Sequence, residues 1–479
     1  MSAGAATDLG LAAGLEQAGR HAEAEGAYRR YIEGQPQDAV ARFNFACFLR
    51  RRGRLEEALE SHQAALDLAI ERPEEVLSNM AVIQTELRRD AAARMLLDRA
   101  LAANPAHIPA LFNLALYHEE YGDLPRALAL YRQVLALNPA WHDALVRIAH
   151  AETVREADGE VVKRLRRALR RSNLEPLARE SLHFALGKAL DDCGRHDEAF
   201  EQYTAGNHVS RARLTRYDRF SVEQGVSKLI EAFGPERIAS AMPVSEAPLV
   251  FVTGMYRSGS TLFEQVLAAH PRVRAGGEID WFMRVPISLD PADWQALARG
   301  YLDHLQRSFP GADIVTNKRP DAFGLFGMLK GVFPNARFVN TVRDPRDTAL
   351  SIWFQQFDDR LGYAADLTDI AHHYQQYRRL MSHWRGLFGE SIFDADYDAF
   401  VQDPRGVTER LLAFVGLDWH EGCLDFQKNA SRVRTASVAQ VRQPLYAKSS
   451  GRWRNYERQL AALSLDFGDG GPASSPTTS

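Results

Sequence analysis

The sequence predicts an all-α helical-repeat solenoid followed by an α/β domain built around a central parallel sheet. Three observations carry that reading. The first half repeats with a period near 34 residues, seen in the spacing of Gly19 and Gly53. The second half switches to short β-branched runs alternating with amphipathic segments, the pattern of strands crossing over through helices. A glycine-rich stretch, GMYRSGST at 254–261, stands where the first of those runs gives way to the first helix.

The repeats are read by aligning QAGRHAEAEGAY (17–28), RRGRLEEALESH (51–62), EYGDLPRALALY (120–131) and DCGRHDEAFEQY (192–203). Gly53 and Gly122 are 69 apart, close to twice the period, and ELRRDAAARMLL (86–97) supplies a degenerate unit without the glycine. Small residues recur at one phase: Ala24, Ala58, Ala93, Ala127 and Ala199. Pro105 and Pro139, again 34 apart, each close a unit. The small residue lets two helices approach, and the glycine supplies the turn between them. This pattern resembles the tetratricopeptide repeat over about residues 8–206, with 140–190 the least regular part. The resemblance implies a concave groove that holds a protein or peptide segment. A spacer or a homodimerisation arm is the other use of such a solenoid.

In the second half, LVFV (249–252) lies between Pro248 and Gly254 and reads as a buried parallel strand. TLFEQVLAAHP then puts Leu262, Phe263, Val266 and Leu267 on one helical face. Further strands are expected at 312–317, 336–342 and 390–397. The expected organisation is a solenoid over 1–215, a helical linker over 216–247, an α/β domain over 248–460 and a disordered tail over 461–479.

Composition narrows the functional classes. The chain has 479 residues and a formal net charge of −4, which gives no general attraction to nucleic acid or anionic membrane. Three dispersed cysteines (Cys47, Cys193 and Cys423) provide neither a zinc cluster nor a disulfide framework. No window approaches the roughly 18 uninterrupted apolar residues of a membrane span, and no signal peptide is visible. A cytoplasmic protein is expected.

GMYRSGST has the glycine spacing of a nucleotide-phosphate loop, with Ser260 where the lysine that reaches β- and γ-phosphates would stand. Arg257 offers a cation inside the loop, and Ser258, Gly259, Ser260 and Thr261 offer hydroxyls and backbone donors for one compact phosphate. Taken alone, the loop also fits a degenerate kinase. Strand, loop and helix together, FVTGMYRSGSTLFEQVLAAHPRVRAGGE, resemble the tyrosylprotein branch of the sulfotransferases, whose donor is 3′-phosphoadenosine 5′-phosphosulfate (PAPS). Four later segments extend the resemblance: TNKRP (316–320), RFVNTVRDPRDTALSIW (337–353), DADYDAFVQDP (394–404) and SVAQVRQPLYAKSSGRW (437–453).

The resemblance implies roles residue by residue. Arg257 to Thr261 hold the 5′-phosphate, and Arg343 and Ser351 hold the 3′-phosphate that no kinase substrate carries. Tyr397, Gln440 and Arg452 make further donor contacts. Glu278 is the catalytic base, Lys318 discharges the leaving oxygen, and Ser437 acts beside them; no metal is required. Plainer roles stand next to these. Arg343 can pair with Asp344 or Asp347, Glu278 can cap a helix, and Tyr397 can be a core aromatic. The sequence departs from the family where the acceptor binds. Asp280 replaces the substrate-gripping arginine and Tyr256 replaces the loop proline, so an acidic peptide is not the expected acceptor. A protein, peptide, glycan or small molecule all remain open, as does a repeat scaffold carrying a vestigial nucleotide domain.

Overall fold

The computed structural model describes residues 3–283, 290–428 and 449–468. The chain falls into two compact units, Met1–Glu119 with Asp123–Ala144, and Glu120–Gly122 with Leu145–Ser479.

In the first unit, helices Ala3–Gln17 and His21–Gly34, Ala39–Arg51 and Leu55–Asp67, and Pro73–Glu86 and Asp90–Ala103 pack in pairs. Ala24, Ala58, Ala93 and Ala127 have no exposed surface, because each lies where a facing helix leaves no room for a longer side chain. The turn glycines Gly19 and Gly53 take φ of 74°, in the left-handed region that glycine enters without a steric penalty. In the degenerate unit Arg88 takes the same position with φ of 60°. Neighbouring repeats are also joined by ion pairs spaced near one period, Arg51–Glu16 and Arg50–Glu86 among them.

The second unit contains a five-stranded, wholly parallel sheet in the order β2-β3-β1-β4-β5. Its strands are β1 (Val250–Gly254), β2 (Val273–Ala275), β3 (Ile314–Lys318), β4 (Arg337–Val342) and β5 (Ile392–Asp396). The four expected strands are present. β2 escapes the sequence because it has only three residues, of which only Val273 is buried. β1 and β3 are buried at every position, as strands covered on both faces must be. Leu262, Phe263, Val266 and Leu267 all join the core over β1, with Phe400 and Leu411. The first strand in sequence is central in space: from β1 the chain passes to the edge at β2, returns inward at β3, and then crosses to β4 and β5 on the other side. The loop after β1 therefore sits at the switch point where open parallel sheets bind ligands.

Helices Pro176–Asp192 and His196–Ser210, the last repeat-like pair, belong to this unit. Gly187 lets them close together, since a Cβ there would come within 2.9 Å of the Tyr203 ring. Tyr203 stacks on Phe354 at 4.0 Å between ring centres, and Asn207 donates to the Trp353 carbonyl at 2.8 Å. The pair thus packs on the end of helix Pro345–Trp353, which follows β4. Among the described residues no helix is long and apolar enough to cross a membrane.

Candidate active site

The loop after β1 is constrained at Gly254, Arg257, Ser258 and Gly259. At Gly254, with φ of 137°, a Cβ would overlap the carbonyl oxygen of Thr341 on β4. Gly259, with φ of 111°, precedes helix Ser260–Ala268 and lies under the Tyr397 ring, 3.2 Å from where a Cβ would stand. Arg257 is a non-glycine residue held at φ of 67°, a strained conformation that a packed environment must impose. Ser258 is buried; its hydroxyl donates to the Met255 carbonyl and shares a hydrogen bond with Thr341 Oγ1, both at 2.6 Å. That side chain braces the loop from within. Ser260 and Thr261 open the helix, where backbone N–H groups lack intrahelical partners and the dipole favours an anion.

Arg343, Ser351 and Tyr397 converge on this loop from elements far apart in sequence. Arg257 Nε donates to Ser351 Oγ at 3.2 Å, and Arg343 donates to the Arg257 carbonyl at 3.4 Å. The Arg343 guanidinium lies 4.9 Å from the centre of the Tyr397 ring and also donates to the Ser449 carbonyl. It stands 3.9 Å from Asp347, so the carboxylate pairing expected as its plainer role is also present. Asp344 instead pairs with Arg346. Even so, Arg343 Nε is buried and has no hydrogen-bond partner among the described residues. A buried guanidinium N–H with no partner among the described residues, in a cluster with a second arginine and a serine hydroxyl, has the chemistry to meet an anion.

Glu278 and Lys318 form the second constellation. Lys318 ends β3 with only 1 % of its side chain exposed, and its Nζ donates to Glu278 Oε1, whose side chain is 41 % exposed. Glu278 reaches that position through two glycines. A Cβ on Gly276 would overlap the Thr316 carbonyl, and Gly277 has φ of 63°. Beneath them lies Glu264, which the sequence reading passed over as a helix residue. Its buried carboxylate accepts from Gly277 N at 2.9 Å and from Thr316 Oγ1 at 3.0 Å. Burial pushes the Glu264 carboxyl upward, while Lys318 draws it back.

The remaining candidates are placed differently. Tyr397 opens helix Tyr397–Gln402 directly after β5, where it serves both Gly259 and Arg343. Arg452 is held by Asp191 at 2.5 Å and lies over the Phe354 ring, on the packed pair of repeat-like helices. Ser437 and Gln440 lie outside the described residues. Asp347, expected from sequence only as a partner for Arg343, also accepts from Gly451 N at 2.6 Å and from Trp453 N at 2.7 Å, anchoring the segment that brings Ser449 to Arg343.

Residues 248–294 and 287–421 match the sulfotransferase family, and residues 9–73 and 86–140 match the tetratricopeptide repeat. The chain joins tetratricopeptide repeats to a sulfotransferase-family domain. An uncharacterized protein of Aquifex aeolicus is 29 % identical over 408 residues, covering 80 % of this chain and 53 % of the relative. Protein-tyrosine sulfotransferase 1 of Danio rerio is 23 % identical over 244 residues, 43 % of this chain and 66 % of the relative. The human protein of that name is 31 % identical over 126 residues, covering 22 % and 34 %. The chain thus spans about half to two thirds of the length of the first two of these relatives. Among solved structures, the sulfotransferase domain of the Synechococcus PCC 7002 olefin synthase is 18 % identical with a TM-score of 0.36, covering 48 % of this chain and 97 % of that one. Arg257, Arg343, Ser351 and the Glu278–Lys318 pair all lie within the residues that match the sulfotransferase family.

Proposed function

We propose that the sulfotransferase domain moves a sulfuryl group from PAPS to a hydroxyl or amine of an acceptor, while the repeats recruit the acceptor or a partner. The observation that carries this reading is Arg343, whose buried Nε has no partner among the described residues and which joins Arg257 and Ser351 at the loop. A nucleotide with one phosphate cluster needs only the loop. A second anion contact next to it suits a nucleotide that also bears a 3′-phosphate.

In this reading the helix start at Ser260 and Thr261, with Arg257, holds the 5′ end of the donor. Arg343 and Ser351 hold the 3′-phosphate, and Tyr397 covers the loop. The donor supplies an electrophilic sulfur whose leaving group is a phosphate oxygen. Sulfuryl transfer is an in-line displacement, so the protein's share is positioning and charge stabilisation. Glu278 takes the acceptor proton, and Lys318 offers its ammonium to the departing oxygen. The hydrogen bond between Lys318 and Glu278 supports assigning both to the same transfer step.

Thermal melting with nucleotides tests the donor. A ligand bound only by the folded state raises the melting temperature. PAP, the product nucleotide, should stabilise the protein strongly, and adenosine 5′-phosphosulfate, which lacks the 3′-phosphate, much less. Arg343→Ala should erase most of that difference. Equal stabilisation of the native protein by both nucleotides would overturn the assignment of Arg343 and Ser351.

A further inference from the structure

Asp347 stands in the first turn of helix Pro345–Trp353, yet it does not cap that helix. Capping falls to Asp344, whose side chain accepts from Arg346 N at 2.8 Å. The Asp347 side chain is wholly buried, and both of its oxygens are taken by a single turn 104 to 106 residues further along the chain. Oδ2 accepts from Gly451 N and Oδ1 from Trp453 N, at 2.6 and 2.7 Å. Bonds of that length to a buried carboxylate are of the strong, charge-assisted kind.

The same turn is fastened at a second point. Ser450 Oγ donates to Asp398 Oδ1 at 2.5 Å, and Asp398 Oδ2 accepts from Asp344 N at 3.1 Å. The Arg346 guanidinium lies 3.5 Å from the centre of the Trp453 ring. The turn is thus clamped to the start of helix Pro345–Trp353, and Ser449 at its head presents its carbonyl to Arg343 Nη2. Arg343 Nη1 donates to the Arg257 carbonyl. With both terminal nitrogens on backbone carbonyls, the plane of the rigid guanidinium is set, and Nε is the N–H without a partner among the described residues. One of the two carbonyls that set this plane is held in place by Asp347. Asp347 Oδ2 itself stands 3.9 Å from Arg343 Nη2, beyond hydrogen-bond distance, so its lone pairs serve the turn and not Arg343 directly.

Resting on the donor reading above, we propose that Asp347 is a positioning residue that sets selectivity for a 3′-phosphorylated nucleotide. It acts through Arg343. By holding the turn at 449–453, it keeps the Ser449 carbonyl where that carbonyl orients the guanidinium for the 3′-phosphate. A carboxylate does not bind a phosphate, so Asp347 makes no attractive contact with the nucleotide itself. Its loss therefore weakens only a nucleotide that engages Arg343. Loss of a merely structural buried carboxylate would lower stability and weaken every nucleotide alike.

The test compares PAP with adenosine 5′-phosphate, which differs only in lacking the 3′-phosphate, by calorimetric titration of the full chain. Asp347→Asn keeps the size of the side chain but offers one acceptor in place of two. It should weaken PAP about tenfold, the scale of one hydrogen bond to a charged group, and leave adenosine 5′-phosphate unchanged. Added to Arg343→Ala, the same change should have no further effect on PAP, because the two residues act as a unit. Ser450→Ala releases the turn from Asp398 without touching Asp347, and should give a smaller loss confined to PAP. Equal losses for both nucleotides would overturn the proposal. So would a loss that adds to that of Arg343→Ala, or unchanged or tighter PAP binding by folded Asp347→Asn. In those cases the donor reading stands. If Asp347→Asn does not fold, Ser450→Ala decides by whether its loss is confined to PAP and vanishes in Arg343→Ala. A native protein that binds both nucleotides equally overturns the donor reading, and the role of Asp347 falls with it.

Discussion

Glu278 depends on backbone that only glycine can supply. Gly276 abuts the Thr316 carbonyl, Gly277 turns through positive φ, and Glu264 fastens the turn from below. Glu278→Gln keeps the shape and removes the basicity, so turnover should fall by about two to four orders of magnitude, the usual worth of a general base. PAP affinity should hardly change. Glu278→Asp keeps a carboxylate withdrawn by one methylene and should fall between the two. His270→Asn is the control, because His270 is the nearest rival base in sequence. Abolition of turnover by that control, with activity kept by Glu278→Gln, would reverse the assignment. Gly276→Ala should cost both stability and turnover, read by melting and steady-state kinetics, because the new methyl cannot fit without moving β3.

Segments 449–456 and 176–210 act through each other. Asp191 receives both Arg452 and the Tyr456 hydroxyl, and Arg452 lies over Phe354. Asp191→Ala leaves a mostly buried guanidinium unpaired, which should cost on the order of 3 kcal/mol, measured by chemical denaturation. If Arg452 works chiefly as this fastener, Arg452→Ala should lower the melting temperature more than it weakens PAP. A large loss of PAP affinity at unchanged stability would instead make it a donor contact. The repeats carry a separate pH response. His62 is fully buried between helices, both ring nitrogens lack partners among the described residues, and burial holds its imidazole down at about 4. The folded value lies below the unfolded 6.5, so the unfolded chain binds more protons between the two. Stability is complete above about pH 6.5 and falls as pH drops toward about 4. The loss is on the order of 3 kcal/mol at most. His62→Phe should remove that limb from the pH dependence of denaturation; an unchanged slope would show that His62 finds a proton acceptor.

At the scale of the whole molecule, the compact division falls at Ala144 and not at the end of the last repeat-like helix. A chain beginning at residue 145 should retain PAP-induced stabilisation. One beginning at residue 216 loses Asp191, Tyr203 and Asn207, which pack on helix Pro345–Trp353 and on Arg452. It should melt far lower or fail to fold. Equal melting of the two would show that the last helical pair adds nothing to the sheet domain.

Local signals were enough for the repeats, because left-handed glycines at Gly19 and Gly53 and close-packed alanines such as Ala24 and Ala58 are chosen by a neighbouring turn or helix one period away. They were also enough for four strands and for the loop, where spacing alone encodes a tight turn into a helix. β2 stayed hidden because three residues carry no periodicity. Glu264 stayed hidden because its partners, Gly277 and Thr316, come from elsewhere in the chain. The same holds for the surroundings of Arg343, which come from the end of β4, the loop after β1 and the segment at Ser449. Sequence spacing decided which elements form, since those depend on neighbours along the chain. Tertiary packing decided which groups are buried, paired or left open, since desolvation is set by what folds around each atom.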